Sequence, residues 1–411
     1  MPPRASQTLF EVLGRHPVHP FPARMAPEII CSIFEVAKRP MRVLDPMMGS
    51  GTVIALAQSR KHQAIGIDID PLAALMASAW TTPVEKKLVL ARAVQVLNSA
   101  RRVFRATKAS DSFPQAADPA TRAFIRYWFD CQSRRQLQGL SLAIGRIRER
   151  PIRNLLWCAF SRLIISKKGA SRALDLVHSR PHRHFKRAPV LPFSKFLSVV
   201  TVVLDNVPPK SGRDCGPRTV VRLGDARKTG IKGESVDLVL TSPPYLNAID
   251  YMRCSKFSLV WMGFTVGQLR AVRAESVGTE IGLSYENDAE IVSCIKKLRL
   301  SGLSKQQLKL VAAYIADMRV AIREVARGGR AVYVIGENTI RGVYVRNAKI
   351  IQLLAGHVGL RLVRISRRPL PANRRYLPPP TGGDQSMDAR MRSEIIVQLR
   401  KARGSENNRR W

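Results

Sequence analysis

The stretch Val236-Asp237-Leu238-Val239-Leu240-Thr241-Ser242-Pro243-Pro244-Tyr245 decides how the rest of the chain is interpreted. Its first five residues have the apolar character of a buried strand, and two consecutive prolines then prevent that strand from continuing. The chain therefore turns at the carboxyl end of the strand, where open α/β sheets keep their ligand crevices. Ser242 and the prolyl carbonyls can accept hydrogen bonds from an amino group, and Tyr245 can stack on a planar ring. An ordinary turn with a half-buried tyrosine fits the same residues.

A glycine-containing loop follows another predicted strand, at residues 41–44. Its sequence is Asp45-Pro46-Met47-Met48-Gly49-Ser50-Gly51-Thr52, and an amphipathic helix is predicted to run from Val53 to about Ser59. Strand, glycine loop and helix begin a βαβ unit, in which glycines let the backbone approach a ligand and the helix start offers unpaired N–H groups. No lysine follows the second glycine, so the loop is not a phosphate-binding P-loop, and it also lacks the dinucleotide fingerprint.

An acidic residue closes the next predicted strand, at residues 64–67. The sequence there is Asp68-Ile69-Asp70-Pro71. An acid about 20 positions after a glycine loop is placed to hold ribose hydroxyls, whereas Asp70 before Pro71 is typical of a helix cap. The loop and Asp68 together predict a cofactor that carries a nucleoside.

The overall charge points to a polyanionic partner. The 411 residues carry 68 Lys and Arg against 30 Asp and Glu, which leaves a net charge of +38 and a pI near 11.1. Nucleic acid is the leading candidate, and a basic membrane-surface protein is the alternative, although no long amphipathic lysine-rich helix stands out. The six cysteines lack paired short spacings, the amino terminus lacks the apolar run of a signal peptide, and no segment reaches membrane-spanning length. We therefore expect a cytoplasmic protein.

Half of the excess charge falls in about a third of the chain. Residues 85–218 contain 27 Lys and Arg against 8 Asp and Glu. Helical periodicity is present at 84–106, 119–150 and 151–167, after which the sequence is irregular, basic and interrupted by prolines. Solvated helix faces would explain any single arginine, but the whole segment with its interspersed aromatics favours a module that contacts nucleic acid. Candidate contacts are Arg134, Arg135, Arg183 and Lys186.

A histidine cluster in the same segment raises the question of a metal site. His178, His182 and His184 have no carboxylate or thiolate at usual ligand spacing, and basic residues surround them. We interpret the cluster as a basic contact loop and predict no metal.

The α/β pattern resumes after the basic segment. Strands are predicted at 219–223, 236–240, 331–335, 360–366 and 394–399, and helices at 249–262, 304–326 and 346–357. Residues 263–290 and 367–380 are predicted to be loops, and residues 401–411 a disordered tail. With the two earlier strands this makes seven, so we predict an α/β fold with a doubly wound, mostly parallel sheet. Residues 1–80 and 218–400 would form its two parts, and 81–217 a basic, mainly helical insertion.

Taken together, these motifs resemble the amino-methylating DNA methyltransferases that use S-adenosyl-L-methionine. The resemblance covers residues 16–80 and 219–400, and its most specific parts are the loop that begins at Asp45 and the Ser242-Pro243-Pro244-Tyr245 motif. It implies a class I methyltransferase fold, S-adenosyl-L-methionine as cofactor and DNA as partner, with RNA second and an associated restriction endonuclease as a further partner. The cofactor would contact Phe21, Ala23, Arg24, Asp45, Pro46, Gly49, Ser50, Gly51, Thr52, Asp68 (at the ribose) and Asp225 (near the adenine).

Within this family, serine before Pro-Pro-Tyr is similar to the cytosine-N4 enzymes, whereas aspartate or asparagine there is typical of the adenine-N6 enzymes. The resemblance therefore implies methylation of the cytosine N4 amine, with Ser242, Pro243, Pro244 and Tyr245 as the catalytic residues. Three alternatives stay open. They are an adenine-N6 DNA methyltransferase, an RNA guanine-N2 methyltransferase, and a catalytically silent DNA-binding protein on a methyltransferase scaffold.

Overall fold

A computed structural model describes residues 7–178, 181–208, 210, 218–232, 235–246, 250–278, 283–325, 329–370 and 393–401. Seven strands form the main sheet: β1 (Arg42–Asp45), β2 (Gln63–Asp68), β3 (Thr219–Leu223), β4 (Leu238–Thr241), β5 (Arg330–Gly336), β6 (Leu360–Pro369) and β7 (Ser393–Lys401). Two short antiparallel ribbons pair Ala173–Leu174 with His182–Arg183 and Asn338–Ile340 with Val343–Val345.

The described residues also form fourteen α-helices. They are α1 (Leu9–Leu13), α2 (Pro27–Glu35), α3 (Thr52–Ser59), α4 (Pro71–Thr81), α5 (Lys86–Ala106), α6 (Pro119–Trp128), α7 (Cys131–Gly145), α8 (Arg150–Ile164), α9 (Pro192–Leu204), α10 (Met252–Leu259), α11 (Val266–Glu275), α12 (Ala289–Leu298), α13 (Lys305–Val325) and α14 (Asn347–His357). None of the helices in these ranges is long and apolar enough to cross a membrane.

The strand order across the sheet is β6-β7-β5-β4-β1-β2-β3. Neighbouring strands from β5 to β3 run parallel, whereas β7 is antiparallel to both β5 and β6. The order reverses between β1 and β4, because β2 and β3 extend the sheet on one side and β5 extends it on the other. A reversal of this kind opens a crevice at the carboxyl ends of the two central strands.

Alternating side chains explain why helices cover both faces of the sheet. Val43, Leu238 and Val332 pack on one face with α2 and α3, while their sequence neighbours Leu44 and Val239 pack on the other with α13 and α14. Each strand is therefore apolar at successive positions, as expected for a sheet buried on both sides. The predicted seven-stranded, doubly wound sheet is confirmed.

The basic segment shares one apolar core with helices from the sheet-containing part of the chain. Phe129 and Phe160 of this segment belong to the same buried cluster as Trp80 of α4 and Phe257 of α10. Ring contacts extend across the boundary, since the centroids of Phe129 and Trp261 lie 5.4 Å apart. The segment is thus packed directly against the helices that precede and follow the sheet strands.

Several predictions about local structure are wrong. The helical stretch predicted at 119–150 breaks at Phe129 and Asp130, because the Asp130 carboxylate accepts a hydrogen bond from the Ser133 N–H at 3.0 Å and starts α7. The stretch after 167 contains α9, whose β-branched residues pack against α5 and α8. The loop predicted at 263–290 contains α11, which begins at a Thr265–Gln268 capping box. The loop predicted at 367–380 begins too early, because β6 continues to Pro369, and the tail predicted from 401 does so too, because Lys401 ends β7. Residues 371–380 and 402–411 lie outside the described residues.

Candidate active site

Two loops that the sequence singles out meet at the carboxyl edge of the sheet. Asp45 ends β1 and Thr241 ends β4, and the Thr241 hydroxyl donates a 2.7 Å hydrogen bond to Asp45. Asp45 also accepts a hydrogen bond from the Met47 N–H at 3.3 Å. Its side chain is buried, and burial raises its pKa to about 7. The bond holds the glycine loop beside the strand end that leads into Ser242.

The glycine loop adopts backbone angles that explain its two glycines. Gly49 and Gly51 have φ values of +50° and +82°, in the left-handed region that disfavours other residues. A Cβ atom at Gly49 would lie 3.1 Å from the ring of Phe21, and one at Gly51 would lie 2.8 Å from the Cβ atom of Ala77. The helix α3 then begins at Thr52 with Gly51 as its cap and no side-chain cap. The loop is therefore a tight cradle in which a side chain has no room.

Asp68 faces this loop from the end of β2. Its carboxylate accepts hydrogen bonds from the Gly49 N–H at 2.8 Å and from the Asp70 N–H at 2.9 Å. Each bond uses a different carboxylate oxygen, so lone pairs remain for hydroxyl donors. Burial, together with the neighbouring charge of Asp70, raises the pKa of Asp68 to about 7.

The segment that contains Phe21, Ala23 and Arg24 is fastened to the glycine loop. Arg24 donates from Nε to the Ser50 hydroxyl at 3.1 Å and from Nη1 to the Phe21 carbonyl at 3.2 Å. The ring of Phe21 stacks on Tyr251, with centroids 4.9 Å apart and planes only 7° apart. Ala23 is half-buried in the same segment. Tyr251 lies just before α10, and no sequence signal identified it.

The remaining loop residues lie in the same cradle. Ser50 and Thr52 are buried, and their hydroxyl oxygens are 3.4 Å apart, while Pro46 follows Asp45 at the strand end. Sequence reasoning thus selected residues that the fold brings together around one loop.

The Ser242-Pro243-Pro244-Tyr245 motif lies directly after β4. Pro243 is buried, while Ser242, Pro244 and Tyr245 are half-buried. The Tyr245 hydroxyl lies 3.5 Å from the Glu394 carboxylate, the outer limit for a hydrogen bond. Burial raises the pKa of Tyr245 well above its ordinary value, so the phenol stays neutral.

An ion triad that the sequence did not indicate supports this motif. Arg368, at the end of β6, donates to Glu394 of β7 at 2.9 Å and to Glu28 of α2 at 2.6 and 2.8 Å. All three side chains are only about a tenth exposed, and burial raises the pKa of Glu394. The residues come from chain positions more than 300 apart (28 and 368), so no local pattern could reveal them.

Asp225 is already engaged by a neighbouring arginine. Arg227 donates to both of its carboxylate oxygens, at 2.6 to 3.1 Å, and also to Asp317 of α13 at 2.6 Å. Arg227 further donates to the Glu275 carbonyl at 2.5 Å. A role of Asp225 toward an adenine therefore requires that it act while paired with Arg227.

The candidate nucleic-acid contacts fall into two groups. Arg134 and Arg135 are half-buried, with guanidinium groups 5.2 Å from the Phe113 ring centroid and 4.1 Å from that of Phe104. Arg183 and Lys186 are exposed, and Arg183 lies over the ring of Tyr127 at 5.0 Å.

The histidine cluster forms no shared center in the described residues. His182 lies 3.3 Å from the Asp175 carboxylate, and His184 packs edge-on against Phe185. Within the described ranges, no three metal-ligating side chains come together at one place.

The sheet order, the single antiparallel strand and the glycine loop at the central crevice together define the class I methyltransferase fold. The chain is similar to the type II methyltransferase M.MvaI of Kocuria varians, with 24% identity over 265 residues. The matched region is 61% of this chain and 58% of that relative, so the chain covers less than two thirds of the relative's length. No protein-family model matches the chain.

Proposed function

We propose that this protein is an S-adenosyl-L-methionine-dependent DNA methyltransferase that methylates the exocyclic N4 amine of cytosine. The observation that carries the proposal is the bond between Thr241 and Asp45, which joins the Ser242-Pro243-Pro244-Tyr245 motif to the glycine cradle. A group held by the cradle and a planar base held by the motif would thus meet at one crevice. The similarity to a type II methyltransferase supports the same class of reaction.

The cradle fits the proposed cofactor. Gly49 and Gly51 let the loop adopt its left-handed turns and pack tightly against Phe21 and Ala77, and Asp68 keeps lone pairs that can accept hydrogen bonds from ribose hydroxyls. Phe21, fixed by its stack on Tyr251 and by its contact with the loop, forms an apolar wall. When bound, S-adenosyl-L-methionine supplies an electrophilic methyl group on a sulfonium.

The motif can hold and activate an amine. The N4 amine of cytosine is a poor nucleophile because its lone pair is delocalised into the ring. The Ser242 hydroxyl and the Pro243 carbonyl are acceptors for its two N–H groups, and hydrogen bonds to them would favour the pyramidal, more nucleophilic amine. The two prolines fix these acceptors before the base arrives, which lowers the entropy cost of positioning. Stacking on Tyr245 would offset part of the cost of extruding the base from duplex DNA.

We further propose that residues 81–217 contact the nucleic acid, whereas 1–80 and 218–400 form the methyltransferase unit. Arg134, Arg135, Arg183 and Lys186 remain proposed contacts within that segment. The half-buried position of Arg134 and Arg135 favours roles at the base of a contact surface, and Arg183 and Lys186 are accessible from outside.

The decisive experiment identifies the methylated nucleoside. Purified protein is incubated with cofactor and mixed-sequence duplex DNA, and digested nucleosides are analysed by mass spectrometry. We expect N4-methylcytosine. N6-methyladenine would refute the argument from Ser242, and a methylated guanine in RNA would refute the choice of polymer. Absence of cofactor binding in calorimetry would favour the catalytically silent protein.

A matched pair of serine variants tests the motif directly. Ser242→Ala should keep cofactor binding and lose turnover, because the amine loses one acceptor. Ser198→Ala is the control, since that exposed hydroxyl on α9 donates to the carbonyl of Lys195 in its own helix and has no other partner among the described residues. Equal turnover in the two variants would contradict the role of Ser242.

A further inference from the structure

Three arginines of the basic segment converge on one aromatic ring. The guanidinium carbons of Arg122, Arg126 and Arg134 lie 5.7, 5.1 and 5.2 Å from the ring centroid of Phe113. Arg122 and Arg126 are one helical turn apart on α6 and so share a face, while Arg134 comes from the first turns of α7. Because the three guanidinium groups surround the same ring, their positive charges lie close to one another.

No carboxylate neutralises this cluster within the part of the chain that the structure describes. Arg122 donates to the Ala117 carbonyl, which carries no full charge, and no ion pair joins any of the three to an acid in the described ranges. The Nε atom of Arg134 is buried and has no hydrogen-bond partner. Three like charges at this spacing repel one another, and a bound anion would remove that cost.

Contact with the Phe113 ring restricts the arginine side chains in positions that suit anion binding. Phe113 is only 6% exposed, so the guanidinium groups help to cover it. An arginine that stacks on a ring has its N–H donors arranged in a rigid planar fork, which matches phosphate in a bidentate manner. Because the stack already restricts the side chains, less conformational entropy is lost when the anion binds.

The cluster is also joined to the elements that follow the catalytic motif. The Thr121 hydroxyl of α6 accepts a hydrogen bond from the Val266 N–H of α11 at 2.9 Å. Phe124 of the same helix packs edge-on against Phe257 of α10, with centroids 5.2 Å apart. A nucleic acid bound to α6 would therefore contact a helix that packs against α10 and α11.

We propose that Arg122, Arg126 and Arg134 form a binding site for backbone phosphates of duplex DNA, separate from the active site. The inference rests on the proposed function, which makes DNA the substrate. Phosphate is favoured over a carboxylate ligand because residues 85–218 carry a net charge of +19, as suits an extended polyanion. Such contacts fix the position of the duplex without reading its sequence.

The experiment compares two triple variants that remove the same charge. Arg122→Gln/Arg126→Gln/Arg134→Gln neutralises the cluster. The control, Arg101→Gln/Arg102→Gln/Arg146→Gln, neutralises two exposed arginines of α5 and the exposed arginine that follows α7. Binding to a fluorescent duplex is measured by anisotropy over a series of salt concentrations. We expect the cluster variant to bind at least roughly tenfold more weakly, with a slope of log affinity against log salt that is shallower by about 1 to 2. The control should stay within roughly threefold of wild type.

A charge-conserving variant keeps the test valid if the glutamine variant unfolds. Arg122→Lys/Arg126→Lys/Arg134→Lys retains the cations but not the planar forks, so we expect the salt slope to persist while affinity falls. If the lysine variant bound DNA as tightly as wild type, the proposed bidentate contact of the guanidinium groups with phosphate would be wrong. Equal losses in the cluster and control variants would overturn the site, because net charge alone would then explain binding.

The outcomes separate this inference from the proposed function. If the cluster variant methylates and binds DNA like wild type, the phosphate site is wrong while the enzyme assignment stands. If wild type binds an RNA hairpin through these arginines and ignores the duplex, both the site's ligand and the substrate are wrong. Methyl transfer to DNA is assayed on the same preparations, and failure of wild type in that assay alone counts against the proposed function.

Discussion

Charged side chains at the carboxyl edge of the sheet have partners within the chain, whereas the arginines around Phe113 in the basic helical segment have no carboxylate partner among the described residues. At the sheet edge, Arg368 is enclosed between Glu28 and Glu394, and Asp68 accepts two backbone N–H groups. In the basic segment, Arg126 and Arg134 stack on Phe113 and have no carboxylate partner in the described residues. The two regions are joined through one apolar core, so the difference does not reflect separate bodies.

This difference indicates what each region can bind. A charged side chain that is paired within the protein is held in a defined position. A binding site for a small ligand needs side chains that are fixed in this way. Charges left without an internal partner remain available for a large polyanion that supplies the partners itself. Replacing charged residues should therefore change folding stability in the first region and nucleic-acid affinity in the second.

The largest effect is expected when the ion triad is broken. Arg368→Met leaves Glu28 and Glu394 buried without their cation, so the free energy of unfolding should fall by about 3–5 kcal/mol. Arg126→Met is the matched control in the basic segment, where loss of a cation–π contact should cost less than about 1 kcal/mol. Urea denaturation of both variants measures these changes. Equal stability losses would remove the contrast between the two regions.

A second contrast uses one glycine from each region. Gly49→Val forces a side chain against the Phe21 ring at a φ of +50°, whereas Gly145→Val in the basic segment meets no atom within 4 Å. We expect Gly49→Val to weaken S-adenosyl-L-methionine binding by at least about 100-fold, or about 2.7 kcal/mol, and Gly145→Val to leave it unchanged. Calorimetry on folded protein decides. Unchanged affinity in Gly49→Val would show that the cradle does not hold the cofactor.

The sheet could be predicted because its signals are local. All of the strands except β6 have a short apolar run, and the loop after Asp45 is marked by closely spaced glycines whose conformation no other residue adopts easily. The same reasoning brought Asp45, Asp68 and Ser242 to one edge, because parallel strands end on the same side.

The rest depends on contacts between distant residues. Helix α9 is rich in β-branched residues, whose intrinsic preference is for strands, and packing against α5 and α8 overrides that preference. Its apolar residues Phe196, Val200 and Val203 nevertheless have helical spacing, so this helix could have been found from the sequence. Tyr251 and the ion triad could not be predicted because their partners are remote in sequence, and the same holds for the contact of Arg227 with Asp317, although its other partner, Asp225, is only two residues away. Helix α11, by contrast, could have been found from the capping box at Thr265 and Gln268.

The raised pKa of Asp45 predicts how stability depends on pH. Burial raises its pKa to about 7 in the folded protein, against about 3.9 in an unfolded chain. The folded state therefore holds this proton more tightly, so the contribution is present below about pH 4 and is lost as pH rises to 7. Asp45→Asn keeps an oxygen for the Thr241 hydroxyl and removes the titration.

The free energy of unfolding of Asp45→Asn minus that of wild type should thus increase between about pH 4 and 7, by about 1.4 kcal/mol per pH unit, and level off above pH 7. Measurements on the cofactor-free proteins in urea test this. A difference that does not change with pH would mean that Asp45 titrates normally despite its burial.

The smallest predicted effect separates the ring of Tyr245 from its hydroxyl. Tyr245→Ala removes the stacking surface and should raise the activation free energy of methylation on duplex DNA by roughly 1–3 kcal/mol. The increase should be smaller for a mismatched target base, which is easier to extrude. Tyr245→Phe keeps the ring and removes the hydroxyl, with its 3.5 Å contact to Glu394 and its hydrogen bond with the Ser242 side chain, so the activation free energy should rise by less than about 1.5 kcal/mol. Single-turnover rates on both substrates give the comparison. If Tyr245→Phe is as slow as Tyr245→Ala, the hydroxyl and its link to the ion triad matter more than stacking, and the role assigned to the ring is wrong.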